Sequence, residues 1–568
     1  MPRITAIEFE NFQSIGGRTR LDLKPITLIF GPNSAGKSAV FDAIELMRNT
    51  LDPDLADEKT ITTLVDRWAR WLTPVATQRE TFLAVEFEVD LSICPRDFWD
   101  YGRKNHASKS SYPSFIWDSV ELDYYGVTKL SSLRVELRFL IDQHKDYEPE
   151  CFISESYCYL NGKLILGVTR SVLVDEQRYV DLPYEDGAIN RRYVVLPSSY
   201  EGMFVNSDID LPKRKISVDS FEFEGQISDA LSNACPLGMY AGGFGEVEST
   251  ILLQNATDIW FYIGAYFAEI LNTSPELVRS DRRTPTPQEA LTIVDFDLGG
   301  WWSRDSRSAS SPALLLKDRT DRIDPHFKGM AELVHADLLM RASESDFWGG
   351  SHAANYLNEL AYLATRLARL NSHLERSLFR EKLYRLGCES TLIVPLDLEE
   401  DDPHGYYTLS QPAAVRLLLR DDSGIKTELQ DVGSGIPYVL PVLYSATSGG
   451  VSTIQQPELH LHPALQSSIA DIFIEEVNEN TNSQFLIETH SEHLLLRVLR
   501  RIRETEKNKA LTKSLELDNS RVSVYYFDPK VGGETYVSSL PISPLGDFYT
   551  DWPRGFFEER NDDLFDDD

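Results

Sequence analysis

At residues 31–38 the chain reads Gly31-Pro32-Asn33-Ser34-Ala35-Gly36-Lys37-Ser38. This octapeptide matches the phosphate-binding pattern G-x-x-x-x-G-K-[ST] at every fixed position. A strand-like run precedes it at residues 26–30, and a run with helical spacing of apolar residues follows at 37–49. N–H groups of such a loop point at phosphate oxygens, and the helix N-terminus adds partial positive charge. We therefore expect Lys37 to reach the β- and γ-phosphates of a nucleotide and Ser38 to hold Mg²⁺. The other residues expected to bind nucleotide in this loop are Asn33, Ser34, Ala35 and Gly36.

Strand and helix patterns divide the chain into five segments. Residues 4–10 and 82–92 predict strands, whereas later residues form short β-like runs broken by Gly, Pro, Asn and Ser. In residues 355–378 leucines recur at three- and four-residue steps, which predicts either a short coiled-coil arm or a helix buried in a compact lobe. The predicted segments are an N-terminal lobe with the phosphate-binding loop (1–95), a β-rich insertion (96–245), a helical insertion (246–390), a C-terminal lobe that opens with strand-like runs at 391–397 and 414–420 (391–500), and a C-terminal segment with an acidic tail (501–568).

Three further polar motifs lie far along the chain. Residues 429–436 (LQDVGSGI) predict a Gly-rich turn before a helix, where Gly433, Ser434 and Gly435 would present N–H groups and a hydroxyl to a phosphate. Residues 451–463 (VSTIQQPELHLHP) and 484–493 (QFLIETHSEH) each begin as a short apolar strand and end in polar residues. Ligands of open α/β sheets bind at the C-terminal edge of the strands, so these ends supply candidate site residues.

Together these motifs resemble those of a known family. GPNSAGKS, DVGSGI, QQPELHLHP and ETHSEH look like the Walker A, signature, Walker B/D-loop and switch-histidine motifs of ABC-class AAA ATPases, the relatives of SMC, RecF and OLD proteins. GDFYTDWPRGFFEER, near the end of the chain, is similar to the C-terminal domain called DUF3696. The resemblance covers residues 1–95 and 390–568. It implies an α/β fold, namely a P-loop NTPase head of the ABC type split by an insertion that is β-rich and then mainly helical. It also implies ATP and Mg²⁺ as cofactors.

Site residues follow from the resemblance, motif by motif. Ser434 and Gly435 would contact the γ-phosphate of ATP bound to the other subunit of a head-to-tail homodimer or higher oligomer, and His490 would sense the γ-phosphate. The Walker B positions depart from the family pattern, because Gln455 and Gln456 stand where two acidic residues are usual. A glutamine orients water but is a feeble base, so Glu458 is a second candidate for that role. The expected catalytic residues are Gln456, Glu458 and His490, and the expected metal ligands are Ser38 and Gln455.

Other site types have weaker support in the sequence. His460, His462, His490 and His493 could form a zinc site, although the ATPase motifs already account for His490 and for the HLHP pattern. The basic stretch from Arg497 to Lys513 could contact a phosphate backbone, or could be a solvated helix face. Arg282-Arg283 and Lys213-Arg214-Lys215 are smaller candidates of the same kind.

Composition restricts the classes of partner. Lys and Arg number 56 against 89 Asp and Glu, so the net charge of −33 disfavours general binding of nucleic acid or anionic membrane. The five cysteines are scattered without a CxxC pair, which favours a reducing compartment. The most apolar helical run, residues 259–271, is too short to span a bilayer. These features, with an N-terminus that does not resemble a signal peptide, lead us to expect a cytoplasmic protein without a membrane partner.

Three functions are consistent with this sequence. The first is an ATPase that acts as a nucleotide-gated sensor or regulatory module beside a separate effector protein, a setting that the resemblance associates with bacterial anti-phage defence. The second is a DNA-binding repair or remodelling ATPase like RecF or SMC. The third is a scaffold that binds ATP without turnover, which Gln455 and Gln456 make credible.

Overall fold

Strands and helices of the chain fall into two units in the computed structural model. The first unit comprises Met1–Thr273, Ser523–Pro541 and Thr550–Asp568, and the second comprises Ser274–Val522 and Ile542–Tyr549. The residues that the structure describes are 3–51, 58–68, 78–89, 131–142, 150–172, 190–197, 213–218, 267, 270, 277–285, 291–294, 325–342, 351–392, 413–507, 512–530 and 533–550. The acidic tail and most of the GDFYTDWPRGFFEER sequence lie outside these residues.

The described residues contain both strands and helices, in agreement with the predicted α/β class. The strands are β1 (Ile4–Glu10), β2 (Thr19–Asp22), β3 (Ile26–Phe30), β4 (Gln78–Val89), β5 (Ser131–Asp142), β6 (Glu150–Leu160), β7 (Lys163–Val172), β8 (Asn190–Pro197), β9 (Lys213–Val218), β10 (Leu291–Val294), β11 (Arg385–Leu392), β12 (Ala413–Arg420), β13 (Lys426–Glu428), β14 (Val451–Gln455), β15 (Gln484–Glu488), β16 (Val522–Pro529) and β17 (Thr535–Ser539). The α-helices are α1 (Ala39–Leu51), α2 (Glu58–Trp68), α3 (Pro325–Ala342), α4 (Ser351–Ser372), α5 (Gly435–Ala446), α6 (Pro463–Glu479) and α7 (Glu492–Glu506). A π-helical turn, His373–Leu378, continues α4.

An eight-stranded sheet dominates the first unit, in the order β2-β1-β4-β5-β6-β7-β8-β9. Its pairs are antiparallel, with Ile7 of β1 opposite Leu21 of β2 and Val85 of β4. Apolar side chains at these positions are buried, which fixes the register because a shift by one residue would turn them to the other face. The sheet crosses the predicted boundary between residues 95 and 96, since β4 pairs with β5 over its whole length. The β-rich insertion therefore continues the sheet of the N-terminal lobe.

The first unit also contains the strand that leads into the phosphate-binding loop. All five residues of β3 are buried, as expected for a strand covered on both faces. The neighbouring β16 pairs antiparallel with β17, and Thr27 of β3 hydrogen-bonds Ser523 of β16 through their hydroxyls at 3.0 Å. Helix α1 then buries one face that includes Val40, Ile44 and Met47. The strand–loop–helix order is the one that the sequence predicted.

In the second unit a parallel strand pair carries the remaining motifs. β14 and β15 run parallel in register, with Gln455 opposite Glu488 at their C-terminal ends. Helix α6 connects the two strands, α5 precedes β14 and α7 follows β15. A separate antiparallel sheet has the order β10-β12-β11, with β13 pairing with β12. Its strand β11 begins at Arg385, six residues before the strand-like run predicted from residue 391.

The leucine-rich run forms helix α4 and packs within the second unit. Leu360 lies in a buried cluster with Ala336 and Leu339 of α3, and Leu367, Leu370 and Leu374 are buried as well. This packing favours the helix buried in a lobe over a coiled-coil arm. Among the described residues no helix has the length and apolarity needed to cross a membrane.

A ladder of ion pairs links strands of the eight-stranded sheet. Glu8 of β1, which is 8% exposed, pairs with Arg18 and with Arg134 of β5, and Arg134 also donates to Glu136 at 2.8 Å. Burial by itself would raise the pKa of the Glu8 carboxyl. The hydrogen bonds and positive charges of the two guanidinium groups outweigh this effect of burial, so the pKa is lowered. Glu8 thus stabilises the sheet as a carboxylate.

We predict that Glu8→Gln lowers the free energy of unfolding by about 1–3 kcal/mol at neutral pH, because the charge-assisted hydrogen bonds from Arg18 and the partly buried Arg134 lose their carboxylate acceptor. The pKa of Glu8 is depressed below 4.5, so the difference from the parent should be present above that pH and disappear as the pH falls through the folded-state pKa. Urea unfolding followed by circular dichroism measures both effects.

The control is Asp22→Asn on β2, since the Asp22 side chain is 70% exposed and pairs with Arg20 at the surface. It should change the free energy of unfolding by less than about 1 kcal/mol. Equal effects of the two variants, or a Glu8→Gln effect that grows in acid, would contradict the assignment.

Candidate functional site

Two glycines let the phosphate-binding loop pass close to neighbouring chain in the first unit. Gly31 has φ +149°, and a Cβ there would lie 2.5 Å from the carbonyl oxygen of Phe527 in β16. Gly36 has φ +75°, and a Cβ there would lie 2.0 Å from Ser14 Oγ. Ser14 is itself fixed by Thr535, whose N–H donates to the Ser14 carbonyl and whose hydroxyl donates to Ser14 Oγ, both at 2.9 Å. A larger side chain would therefore meet the Phe527 backbone at position 31 and the Ser14 side chain at position 36, and would be strained at both.

Lys37 points its ammonium group into the loop. The residue is 4% exposed, and its Nζ donates to the carbonyl oxygens of Gly31 at 3.1 Å and Pro32 at 2.9 Å. Ser38 lies at the first turn of α1, where its carbonyl accepts from the N–H of Phe41 and Asp42 at 3.0 Å. The loop thus combines a buried cation, a hydroxyl and a helix N-terminus, which fits the triphosphate that the sequence predicted. Within the same loop Asn33 and Ser34 are exposed and Ala35 is buried.

The signature-like turn lies at the start of α5 in the second unit. Gly433 and Ser434 are exposed, and the Ser434 hydroxyl makes no capping hydrogen bond within its own helix. A Cβ on Gly435 would lie 3.1 Å from the carbonyl oxygen of His460, so this turn contacts the segment that follows β14. The hydroxyl of Ser434 and the helix N-terminus behind it are placed at the surface, where they can meet an anion from outside the unit.

The end of β14 holds Gln455 and Gln456, the two glutamines that the resemblance places at Walker B positions. Gln456 has φ +46°, and its N–H donates to the carbonyl oxygen of Glu488 at 2.7 Å. Gln455 Oε1 accepts a hydrogen bond from the N–H of Ser280 at 3.3 Å. A left-handed backbone at a residue other than glycine is uncommon and marks a site that its surroundings over-determine.

Glu458 joins the ends of β14 and β15. Its carboxylate accepts from the Thr489 hydroxyl and from the His490 N–H, both at 2.8 Å. Burial raises the pKa of Glu458 above its ordinary value and exceeds the opposing effect of these hydrogen bonds. The structure therefore brings together Gln456, Glu458 and His490, three of the residues expected from the sequence. A carboxylate in this position is a better proton acceptor than either glutamine.

The four histidines do not converge on a metal site. His460 stacks edge-on against Tyr438 at 4.3 Å between ring centroids, and His462 caps α6 by accepting from the N–H of Ala464 at 3.3 Å. Within the described part of the chain, no group of three or more His, Cys, Asp or Glu side chains is placed to hold a metal ion.

The basic helix α7 is largely neutralised by acids of its own unit. Arg497 and Arg501 both pair with Asp471 of α6, and Arg501 also pairs with Glu504 at 2.8 Å. Arg503 donates to Asp547 at 2.8 Å. These ion pairs support the solvated helix face rather than a surface for a phosphate backbone.

Arg282 has a different environment from the one its charge suggests. It is 7% exposed and donates to backbone carbonyl groups of the second unit, whereas Arg283 is exposed. A buried guanidinium cannot reach a phosphate backbone, so the prediction is wrong for Arg282, whereas for the exposed Arg283 it stays a prediction. The Lys213-Arg214-Lys215 run forms part of β9, and its side chains lie outside those that the structure describes.

Sequence reasoning missed three residues that support these sites. Ser14 and Thr535 close the space beside Gly36, and no motif marks them, because they are far from the loop in sequence. Thr489 lies inside the ETHSEH motif next to His490, and its position directly after a buried strand was a usable signal.

We predict that Gly36→Ala destabilises the first unit by about 1–3 kcal/mol, because the methyl group meets Ser14 Oγ and the backbone is left-handed. The matched control is Gly17→Ala, since a Cβ on Gly17 has nothing within 4 Å. Thermal unfolding of both variants tests this. An unchanged midpoint for Gly36→Ala, or an equal loss for Gly17→Ala, would show that the close approach does not exist.

Comparison with known proteins bears on this arrangement. Structures of SMC heads align with nearly all of the chain at low sequence identity. One, an SMC head bound to the C-terminal winged-helix domain of ScpA, has 11% identity, covers 95% of this chain and 98% of its own, and has a TM-score of 0.37. Another, the SMC head from Thermotoga maritima, has 9% identity, covers 95% of this chain and 100% of its own, and has a TM-score of 0.29. A third, an SMC head with an extended coiled coil bound to the C-terminal domain of ScpA from Pyrococcus furiosus, has 13% identity, covers 95% and 97%, and has a TM-score of 0.34. TM-scores below 0.5 give these similarities no weight for function.

The family comparison is more specific. No curated protein matches the chain. Residues 3–159 and 394–495, just under half of the chain, match the family model of an AAA ATPase domain. The first matched segment contains the phosphate-binding loop and extends through β6, and the second contains the signature-like turn, Glu458 and His490. This match supports an AAA-type ATPase, whose domain is divided between the N-terminal and C-terminal parts of the chain.

Proposed function

We propose that this chain is an ABC-type ATPase that binds ATP, hydrolyses it slowly and uses ATP binding to close a homodimer. The observation that carries the proposal is the loop at residues 31–38, where two glycines shape the backbone and Lys37 is buried beneath it. A triphosphate in such a loop is bound by oriented N–H groups together with one cation, and the two glycines and the buried Lys37 support that role for this loop.

In this proposal Lys37 binds phosphate, whereas Ser38 and Gln455 bind the metal ion. Lys37 would bind the β- and γ-phosphates, and Ser38 and Gln455 are the proposed ligands of a Mg²⁺ that when bound would neutralise phosphate charge. Mg²⁺ is usually held by one or two carboxylates together with phosphates. With two neutral protein ligands, the anionic ligands must come from ATP itself.

Proton transfer from the attacking water falls to Glu458 in this proposal. Gln456 is adjacent and can orient a water molecule by accepting and donating hydrogen bonds, but it cannot take up a proton at neutral pH. Glu458 has a carboxylate held by Thr489 and by the N–H of His490, with a pKa raised by burial. This linkage connects the base to the histidine that senses the γ-phosphate.

Dimer closure is proposed for the signature-like turn. Ser434 is exposed at the start of α5, so a nucleotide bound to a second copy of this chain can reach it. ATP would then be shared between the Lys37 loop of one protomer and the Ser434 turn of its partner. Assemblies larger than a dimer are compatible with the same contact.

The biological setting rests on the C-terminal resemblance. The DUF3696-like segment, together with a large insertion between the two matched segments, supports a sensor or regulatory module that acts on a separate effector protein. Bacterial anti-phage defence in the cytoplasm is the setting that we propose. The ion pairs of α7 with Asp471 and Glu504 and the net charge of −33 speak against the DNA-binding alternative. An ATP-held scaffold without turnover is the second candidate, favoured by Gln455 and Gln456.

The first test is ATP-dependent mass, measured by light scattering, with phosphate release followed in parallel. The parent should shift from monomer to dimer, or from a smaller to a larger assembly, when ATP and Mg²⁺ are added. Lys37→Ala should abolish the shift, because the cation that binds the β- and γ-phosphates is gone. Lys426→Ala is the control. Lys426 is exposed, and its ammonium group forms a surface ion pair with Glu389. A parent that ignores ATP, or a Lys37→Ala variant that still responds, would overturn the proposed dimer.

The role of Glu458 has its own test. Glu458→Gln should lower turnover by about tenfold or more, whereas the exposed Glu479→Gln on α6 should not. Since the pKa of Glu458 is raised, turnover of the parent should rise with pH through a value above 4.5, and this step should be absent in Glu458→Gln. If Glu458→Gln alone has no effect on turnover, Glu458 is not the base. An increase in turnover when Gln456→Glu is added to Glu458→Gln would then show that position 456 can supply the base.

A further inference from the structure

Arg282 lies in a short segment that runs along the Walker B strand. Val278 forms a parallel bridge with Ile454 of β14: its N–H donates to Thr453 at 3.0 Å, and its carbonyl accepts from the Gln455 N–H at 2.8 Å. This segment belongs to the predicted helical insertion. It brings Arg282 to the C-terminal end of β14, beside the glutamines of the site.

The Arg282 guanidinium joins two parts of the site within the second unit. Its Nε donates to the carbonyl oxygen of Tyr438 in α5 at 2.9 Å. Its two terminal nitrogens donate to the carbonyl oxygens of Gln455 at 2.9 Å and Gln456 at 2.7 Å. One planar group thus contacts both the helix that follows Ser434 and the strand end that leads to Glu458.

Both the charge and the shape of arginine are needed for this bridge. Guanidinium presents its donors in a rigid planar fork, whereas a lysine ammonium is a compact point charge on a flexible stem. Burial makes the bridge specific, because carbonyl groups that lose their donor in a buried place cost free energy. The positive charge of Arg282 also acts on Glu458 and favours its ionised form.

We infer that Arg282 is a positioning residue that couples the two nucleotide sites of the proposed dimer. The inference rests on the proposed function. Helix α5 carries Ser434, which would contact ATP bound to the partner, whereas Gln456 and Glu458 act on ATP bound to their own protomer. Because the guanidinium holds α5 to the end of β14, closure on the partner's ATP sets the position of the residues that act on the protomer's own ATP.

The experiment uses the full chain with Arg282→Ala, Arg282→Lys and the neighbouring Arg283→Ala as control, since Arg283 is exposed. Three quantities are measured: the Kd of a fluorescent ATP analogue, the ATP dependence of the mass shift, and phosphate release. Arg282→Ala should bind the analogue within about threefold of the parent, because Lys37 and Ser38 are unchanged. Its mass shift should lose cooperativity, with the Hill coefficient falling from above 1 to about 1.

Two further results separate coupling from a loss of fold. Arg282→Lys keeps the charge but not the fork, so it should resemble Arg282→Ala in cooperativity while its thermal midpoint falls less than that of Arg282→Ala. Guanidinium chloride at low millimolar concentration, far below denaturing levels, should restore part of the cooperativity to Arg282→Ala only. Phosphate release should fall in parallel with cooperativity in both variants.

The outcomes distinguish the two levels of the argument. If the parent binds the analogue and assembles with ATP but Arg282→Ala and Arg282→Lys keep full cooperativity, the coupling role is wrong and the proposed function stands. If Arg283→Ala loses cooperativity equally, the effect belongs to the segment and not to the guanidinium, and the inference also fails. A parent that does not bind the analogue overturns the proposed function, and the coupling role with it.

Discussion

The phosphate-binding loop depends on a steric constraint: its backbone must pass within contact distance of two other segments of the first unit. Phe527 on β16 limits Gly31, and the Ser14 hydroxyl, held by Thr535, limits Gly36. A Cβ at either position would lie 2.0–2.5 Å from another atom, so glycine is the residue that fits there without strain. The loop is therefore shaped by residues from both ends of the chain, and Lys37 takes its buried position because the backbone around it is closed.

In the second unit the corresponding constraint is hydrogen bonding at the ends of two parallel strands. Glu458 accepts from Thr489 and His490, and the Gln456 N–H donates to Glu488, so three hydrogen bonds join the turn after β14 to the end of β15. Parallel strands end at the same edge, which is why residues more than thirty positions apart in the chain meet there. With glutamine at positions 455 and 456, this framework is in place.

The sequence predicted the elements whose side chains are buried on both faces, and it predicted the motifs at their ends. β1 and β3 have the predicted bounds, because β-branched and aromatic residues fill them. Local pattern is weaker where burial is partial. β11 begins at Arg385, six residues before the expected strand, and the pattern missed this part because Leu386 and Cys388 are its buried apolar residues and exposed Glu389 and Ser390 follow them. Contacts between residues far apart in the sequence could not be predicted from local patterns. The charge of Arg282 suggested phosphate, whereas its partners are carbonyl groups of residues 438, 455 and 456 that only the fold brings near.

The continuity of the eight-stranded sheet has a consequence for how this chain could be shortened or could have diverged. β4 pairs with β1 along one edge and with β5 along the other. Removing β5–β9 together would therefore leave the β5-facing edge of β4, twelve residues long, with unpaired N–H and C=O groups. Exposed edges of that length template aggregation. Variation in this region is therefore expected at the far strand, β9, and in the connections between strands, where length can change without opening the sheet.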